Sequence, residues 1–136
     1  MEKLIHTNER ARRRELASQT RTMITRTLPV EDADESSITL GYNDFYLQIA
    51  FTELHPLMVV YLARALNRSG TRKDAQLAND LNLKSVLGSH AVNAEAGCYS
   101  FRAAHWLDAE LTKERFLEIL ERDAEEAGRA YHKLTG

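Results

Sequence analysis

The chain has one cysteine, Cys98, so no disulfide can close within it. It has no charged start followed by an apolar segment of about 7–15 residues, which argues against a secretory leader and for a cytoplasmic protein. No apolar run approaches the roughly 18 residues that span a bilayer, so membrane insertion is not expected. A glycine-rich phosphate loop, a nucleophile elbow, a Cys-x-x-Cys pair and a His-x-x-x-His pair are all missing. Without them the sequence gives no reason to expect an enzyme, and it implies no cofactor and no metal.

What is present suffices for one domain of 136 residues with a core of its own. The net charge of −2 is unevenly spread. Residues 1–30 hold seven Lys and Arg against three Glu, so a basic N-terminal helical arm precedes an acidic body. Arg10, Arg12, Arg13 and Arg14 are the arm's candidates for contact with an anion such as a nucleic-acid phosphate. Glu9 and Glu15 lie among them, no aromatic is interleaved for base stacking, and the body would repel a polyanion. A solvated helix face is therefore the stronger expectation, with nucleic acid as the alternative partner.

The longest nearly unbroken apolar stretch is Leu57–Leu66, with Val59, Val60 and Tyr61 at its middle. It reads as a strand buried on both faces. Ahead of it, a helix is expected over about Asn8–Leu28, with Asn8 as N-cap and Pro29 closing it, although Thr20, Thr22, Thr25 and Thr27 also suit extended chain. Val30–Ser37 reads as a charged linker.

Ile38, Leu40 and Tyr42 then alternate up to Asn43-Asp44, and Phe45, Leu47, Ile49 and Phe51 alternate after it. That is a hairpin. A two-residue turn pairs Tyr42 with Phe45, Leu40 with Leu47 and Ile38 with Ile49, leaving Thr39, Gly41, Tyr46 and Gln48 on the other face. Thr52–Pro56 leads into the apolar strand. After it, Thr71 opens a helix with Asp74 as a capping-box partner, Ala75, Ala78 and Leu81 mark its inner side, and it ends near Leu83–Lys84.

Gly88–Glu95 and Cys98–Leu107 form a second hairpin turning at Ala96-Gly97. It sets Val92, Ala94, Tyr99, Phe101, Ala103 and Leu107 on a core face, and Asn93, Glu95, Ser100, Arg102 and Trp106 on the other. Thr112 caps the last helix, whose Phe116, Leu117, Leu120, Ala124, Ala127, Tyr131 and Leu134 recur at helical spacing to about Leu134. The order α-β-β-β-α-β-β-α is α+β, with an antiparallel sheet of about five strands.

Residues Ala78-Asn79-Asp80-Leu81-Asn82, Gly88-Ser89-His90-Ala91-Val92 and Glu95-Ala96-Gly97-Cys98-Tyr99-Ser100-Phe101-Arg102 carry a resemblance. With the long helix that follows, they resemble the type III secretion chaperone-like fold. The closer likeness is to the YbjN-like family of bacterial sensory transduction regulators. The likeness covers roughly Ser37 to Tyr131. It implies a small homodimeric, non-enzymatic protein whose chaperone relatives hold a partner segment in extended form.

Among candidate groups, His90 and His105 would lie diagonally across the second hairpin with Cys98 on the other face, so structural histidines are expected rather than a metal site. Asp108 and Glu110 read as charges favoured near a helix start. Arg102 and Trp106, an aromatic and a guanidinium on one strand face, suit an interface, as do Tyr46 and Gln48 on the first hairpin. The outer face of the sheet would then be covered by a second subunit or a bound protein segment.

Overall fold

In the computed structural model the described residues are 2–34, 36–52, 55–107 and 109–136, with side chains described from residue 8 onward. Three helices accompany six strands, all antiparallel: α1 (Glu2–Thr27), β1 (Asp32–Ala33), β2 (Ser37–Tyr42), β3 (Phe45–Phe51), β4 (Leu57–Ala65), α2 (Arg72–Asn82), β5 (Ser89–Asn93), β6 (Cys98–Trp106) and α3 (Lys113–Thr135). The sheet runs β1-β2-β3-β4-β6-β5, so α2 carries the chain over β6 to the far edge and the second hairpin returns it beside β4. The class is α+β as the sequence indicates, with one strand more than the five expected. The charged stretch taken for a linker contains β1, where Asp32 and Ala33 pair with Thr39 and Ile38.

The first hairpin has the expected register, Tyr42 with Phe45, Leu40 with Leu47 and Ile38 with Ile49. Asn43 and Asp44 both hold positive φ, 47° and 67°, which matches the twist a two-residue turn needs. The second hairpin is wider than expected. Asn93 pairs with Cys98, leaving Ala94–Gly97 as a four-residue turn. Asn93 Oδ1 accepts from the Ala96 N–H at 3.1 Å, and Gly97 sits at φ +59° with its Cα against the Arg68 carbonyl, where a Cβ would lie 2.4 Å away. The change from a two- to a four-residue turn moves the register by two. Side-chain parity is therefore kept, but Ala94 leaves the core face and is exposed.

α1 starts six residues before Asn8, so Asn8 is interior and is not the cap. The threonines that favour strand are absorbed by back-bonding to the helix itself: Thr20 Oγ1 donates to Leu16 O and Thr27 Oγ1 to Met23 O, both at 2.7 Å. Ile24 and Thr20 are buried on its inner side. At α2 the capping box is complete, with Thr71 Oγ1 accepting from Asp74 N–H and the Asp74 carboxylate accepting from Thr71 N–H at 2.8 Å. Asp74 also takes a two-pronged contact from Arg68 at 2.7 and 2.9 Å, and Arg68 donates on to the Leu134 carbonyl. This buries Asp74 and turns Ala75 outward, against the expected inner face of Ala75, Ala78 and Leu81, of which Ala78 is the buried member.

The core lies on one face of the sheet. Ile38, Leu40, Leu47, Ile49, Val60, Leu62, Tyr99 and Phe101 meet Phe116, Leu120, Ala127 and Tyr131 of α3 and Ile24 of α1. Within the protomer the described helices cover β4 on one face only. Met58, Val60 and Leu62 are inside on that face, whereas on the other Val59 is buried at 8% exposure among its strand neighbours and Tyr61 and Ala63 are half-buried.

Candidate functional site

Because side chains of paired residues in an antiparallel sheet share a face, the ladder defines the uncovered side row by row. Asp32, Thr39, Gln48, Tyr61, Arg102 and Ser89 form one continuous row across all six strands. Beside it run Gly41, Tyr46, Ala63, Ser100 and Ala91, and on its other side Ser37, Ala50, Val59 and Ala104. Trp106 stands opposite Leu57 at the end of β6. All four interface candidates, Tyr46, Gln48, Arg102 and Trp106, therefore share one surface. Trp106 is 67% exposed and Tyr46 50%, both high for large aromatics.

Sequence reasoning did not single out Tyr61 or Asp32 for this surface. Tyr61 sits between Gln48 and Arg102, and the period-two parity of β4 would have placed it there. Asp32 was hidden in a segment read as linker. The face carries a mostly small and neutral middle, with an acid at one end of the long row and a guanidinium near the other. The β5 edge beside it is partly occupied by a side chain. Asn82 Nδ2 donates to His90 O at 2.9 Å and its Oδ1 accepts from His90 N–H at 2.6 Å, imitating the next strand's peptide group.

The histidines belong to the covered side and to two separate networks. His90, opposite Phe101 rather than Ala103, is buried, with Nδ1 2.7 Å from the Tyr99 hydroxyl and Nε2 3.3 Å from Glu126 Oε1. The tautomer that satisfies both contacts takes the Tyr99 O–H at Nδ1 and gives Nε2–H to the carboxylate. Burial first, and the Glu126 charge second, push the Tyr99 hydroxyl's pKa upward, which keeps it a donor. Burial would raise Glu126, but hydrogen bonds from His90, Arg129 and Ser85 outweigh it and hold the carboxyl below its ordinary range.

His105 Nε2 instead donates to Asp123 Oδ2 at 2.8 Å. Asp123 is fully buried, and its Oδ1 has no hydrogen-bond partner among the described residues. Cys98 lies on the opposite face of β6 from both imidazoles. No group of three or more His, Cys, Asp or Glu side chains stands close enough to hold a metal among the described residues.

The arginine cluster is apart from the open face, on a helix whose later half packs into the covered side. Arg12 and Arg13 reach Glu9 at 3.2 and 3.6 Å, Arg10 and Arg14 are exposed, and Glu9 thus draws two of the four toward itself. Asp108 lies outside the described residues, as do residues 53 and 54 of the connection before β4. Glu110 is exposed two residues ahead of the Thr112 cap, whose Oγ1 accepts from Arg115 N–H at 3.2 Å. No helix among the described residues is long and apolar enough to cross a membrane. No family model matches the chain, and no curated protein or solved structure gives a significant match.

Proposed function

We propose that this protein is a non-enzymatic, homodimeric adaptor or regulator of chaperone-like character, which associates through its uncovered sheet face and binds a further protein. The observation that carries this reading is the face itself, where Trp106, Tyr46 and Tyr61 meet a small, neutral middle and one guanidinium. Aromatic anchors among small residues, with a charge at the margin, are the composition of an interface and not of a solvated sheet side.

A second copy suits the face better than an unrelated surface does. Its centre is near neutral, so identical copies do not repel. Asp32 and Arg102 sit toward opposite ends of one row. Two copies related by an axis along the strands reverse the row order, which sets Arg102 of one beside the acidic end of the other. Six strands about 4.8 Å apart give a face on the order of 600 Å² in projection. This approaches the area of roughly 800 Å² per partner that a standard interface buries. Asn82 occupies the outward peptide groups of His90 on the β5 edge, which leaves less of that edge free for strand addition.

Sedimentation equilibrium at micromolar concentration tests the proposal. A dimer is expected, and a stable monomer with this face in water would overturn it. The nucleic-acid alternative predicts salt-sensitive oligonucleotide binding that is lost when Arg10, Arg12, Arg13 and Arg14 are replaced. The pairing of Arg12 and Arg13 with Glu9 speaks for the solvated-face reading instead.

A further inference from the structure

On the covered side, at the far edge of the sheet, a different surface stands out. The six residues between α2 and β5 expose Leu83 at 86%, Val86 at 95% and Leu87 at 42%. Three aliphatics in water on one short loop is unusual, since burying each would release about 1.5–3 kcal/mol. The loop is not slack. Lys84 and Ser85 N–H groups both donate to the Leu81 carbonyl, and Ser85 Oγ donates to Gly88 O at 2.7 Å and reaches Glu126 Oε1 at 3.2 Å. Gly88 then presses so closely on the Arg102 carbonyl that a Cβ there would lie 2.3 Å from it. Its apolar tip is thus held out by hydrogen bonds and a close backbone approach at its base.

Beside the tip is a cavity of about 210 Å³ with His90, Ser85 and Glu126 in its wall and Lys84, Arg129 and Lys133 around it. Three cations face one carboxylate. That carboxylate is already engaged by His90, Ser85 and Arg129. Lys84 and Lys133 make no ion pair among the described residues. The result is a recess with uncompensated positive charge, on a chain of net charge −2, adjoining a fixed apolar prominence.

We infer that this recess and the Leu83–Leu87 loop together form a second docking site, whose occupant is an acidic, aliphatic-bearing segment of a partner protein. Its carboxylates meet Lys84 and Lys133, and its aliphatic side chains cover Val86 and Leu83. Charge complementarity selects the sign of the partner. A lipid surface would meet the prominence but leave the recess unfilled, so a chain that can enter both is the better fit. The inference deepens the protein-binding reading above, but it uses the other side of the sheet, so the two can fail separately.

The test is fluorescence anisotropy of the full chain with a short labelled peptide alternating Glu and Leu. It is run against a Lys-for-Glu version and against phosphatidylglycerol vesicles, with amide NMR shifts locating the contact. The acidic peptide is expected to bind and to move the signals of Ser85, Val86, His90 and Lys133. Binding should weaken roughly tenfold or more in Lys84→Glu/Lys133→Glu and in Val86→Asp. All three positions are on the surface, so folding and dimerisation should be unchanged. Equal binding of the Lys peptide, a preference for the vesicles, shifts on the Trp106 face instead, or no binding of the acidic peptide at millimolar concentration would each overturn the inference. Sedimentation of the same samples reports separately on the dimer.

Discussion

Leu62 and Tyr61 are neighbours in the same strand and live in different worlds. Leu62 is fully buried between Leu47 and Phe101, under α3, while Tyr61 is half-exposed between Gln48 and Arg102 with no described element above it. The same alternation holds along β3 and β6, so each strand contributes one set of side chains to folding and another to the surface. The contrast teaches where to look for function. Residues facing α3 answer to packing, and residues facing away have freedom that packing does not use.

Emptying the covered side should have the largest effect. Phe101 is fully buried against His90 at a ring separation of 5.1 Å and belongs to the cluster with Leu120 and Phe116. Phe101→Ala is expected to cost about 3–5 kcal/mol of folding stability by urea denaturation, the sum of lost transfer energy and an unfilled cavity. A loss under about 1 kcal/mol would mean that Phe101 does not stand in the packed core.

On the open side, Trp106→Ala should leave the protomer's stability within about 0.5 kcal/mol. If Trp106 anchors the dimer, the same change should weaken association by about 2 kcal/mol, roughly a thirtyfold rise in dissociation constant measured by sedimentation. An unaltered constant would break the proposed division of labour between the two faces. A large loss of protomer stability would place Trp106 with the core.

Much of this was legible in the sequence, for a physical reason. The first hairpin could be read because strict alternation and a two-residue turn over-determine its register, and Ile38, Leu40, Leu47 and Ile49 all agree. The long spacing of Phe116, Leu120, Ala127 and Tyr131 fixed α3 in the same way. β1 was not legible, since two residues carry no periodicity and Asp32 has no preference for strand. An apolar run such as Leu57–Leu66 is silent about what covers each side: Val59 is buried on the outer face by its strand neighbours alone, while Tyr61 and Ala63 beside it are left half-exposed there.

The candidate site was half legible. Tyr46, Gln48, Arg102 and Trp106 follow from parity, and they do share a surface. The end of α2 near Leu83 is legible, but the exposure of the loop beyond it is not, since sequence does not tell an exposed Val86 from a buried one. The His90 and His105 networks depend on Glu126 and Asp123, which are 36 and 18 residues away and come into reach only when α3 lies down on the sheet.

Acid should separate the covered side from the open one more gently. Hydrogen bonds from Arg68, aided by Thr71, hold the Asp74 carboxyl well below its ordinary value of 3.8. A depressed folded-state pKa adds stability that is fully present above the unfolded value and is lost as pH falls through the folded one. Glu126 acts in the same direction. Folding stability should therefore be flat from neutrality to about pH 5 as far as these groups are concerned, then fall below about pH 4. Asp74→Asn is expected to lose about 1–2 kcal/mol at pH 7, as for a helix cap, and to flatten that acid limb. Denaturation midpoints at a series of pH values read both, and a limb unchanged by the substitution would show that Asp74 does not shape the acid response.

The smallest effect sharpens the comparison most, because it tests orientation on the open face. Arg102 and Asp32 are exposed and four strands apart, about 19 Å at ordinary strand spacing, so within one protomer they hardly interact. Across the proposed dimer axis they become neighbours. Arg102→Asp and Asp32→Arg should each weaken the dimer by about 0.5–1 kcal/mol at low salt, the range of exposed ion pairs. The double exchange should restore it, since the pair re-forms with its signs reversed, and protomer stability should stay level throughout. A double exchange that weakens association by the sum of the two singles would show that the charges do not meet. The copies would then stack with their rows in the same order, or through another surface.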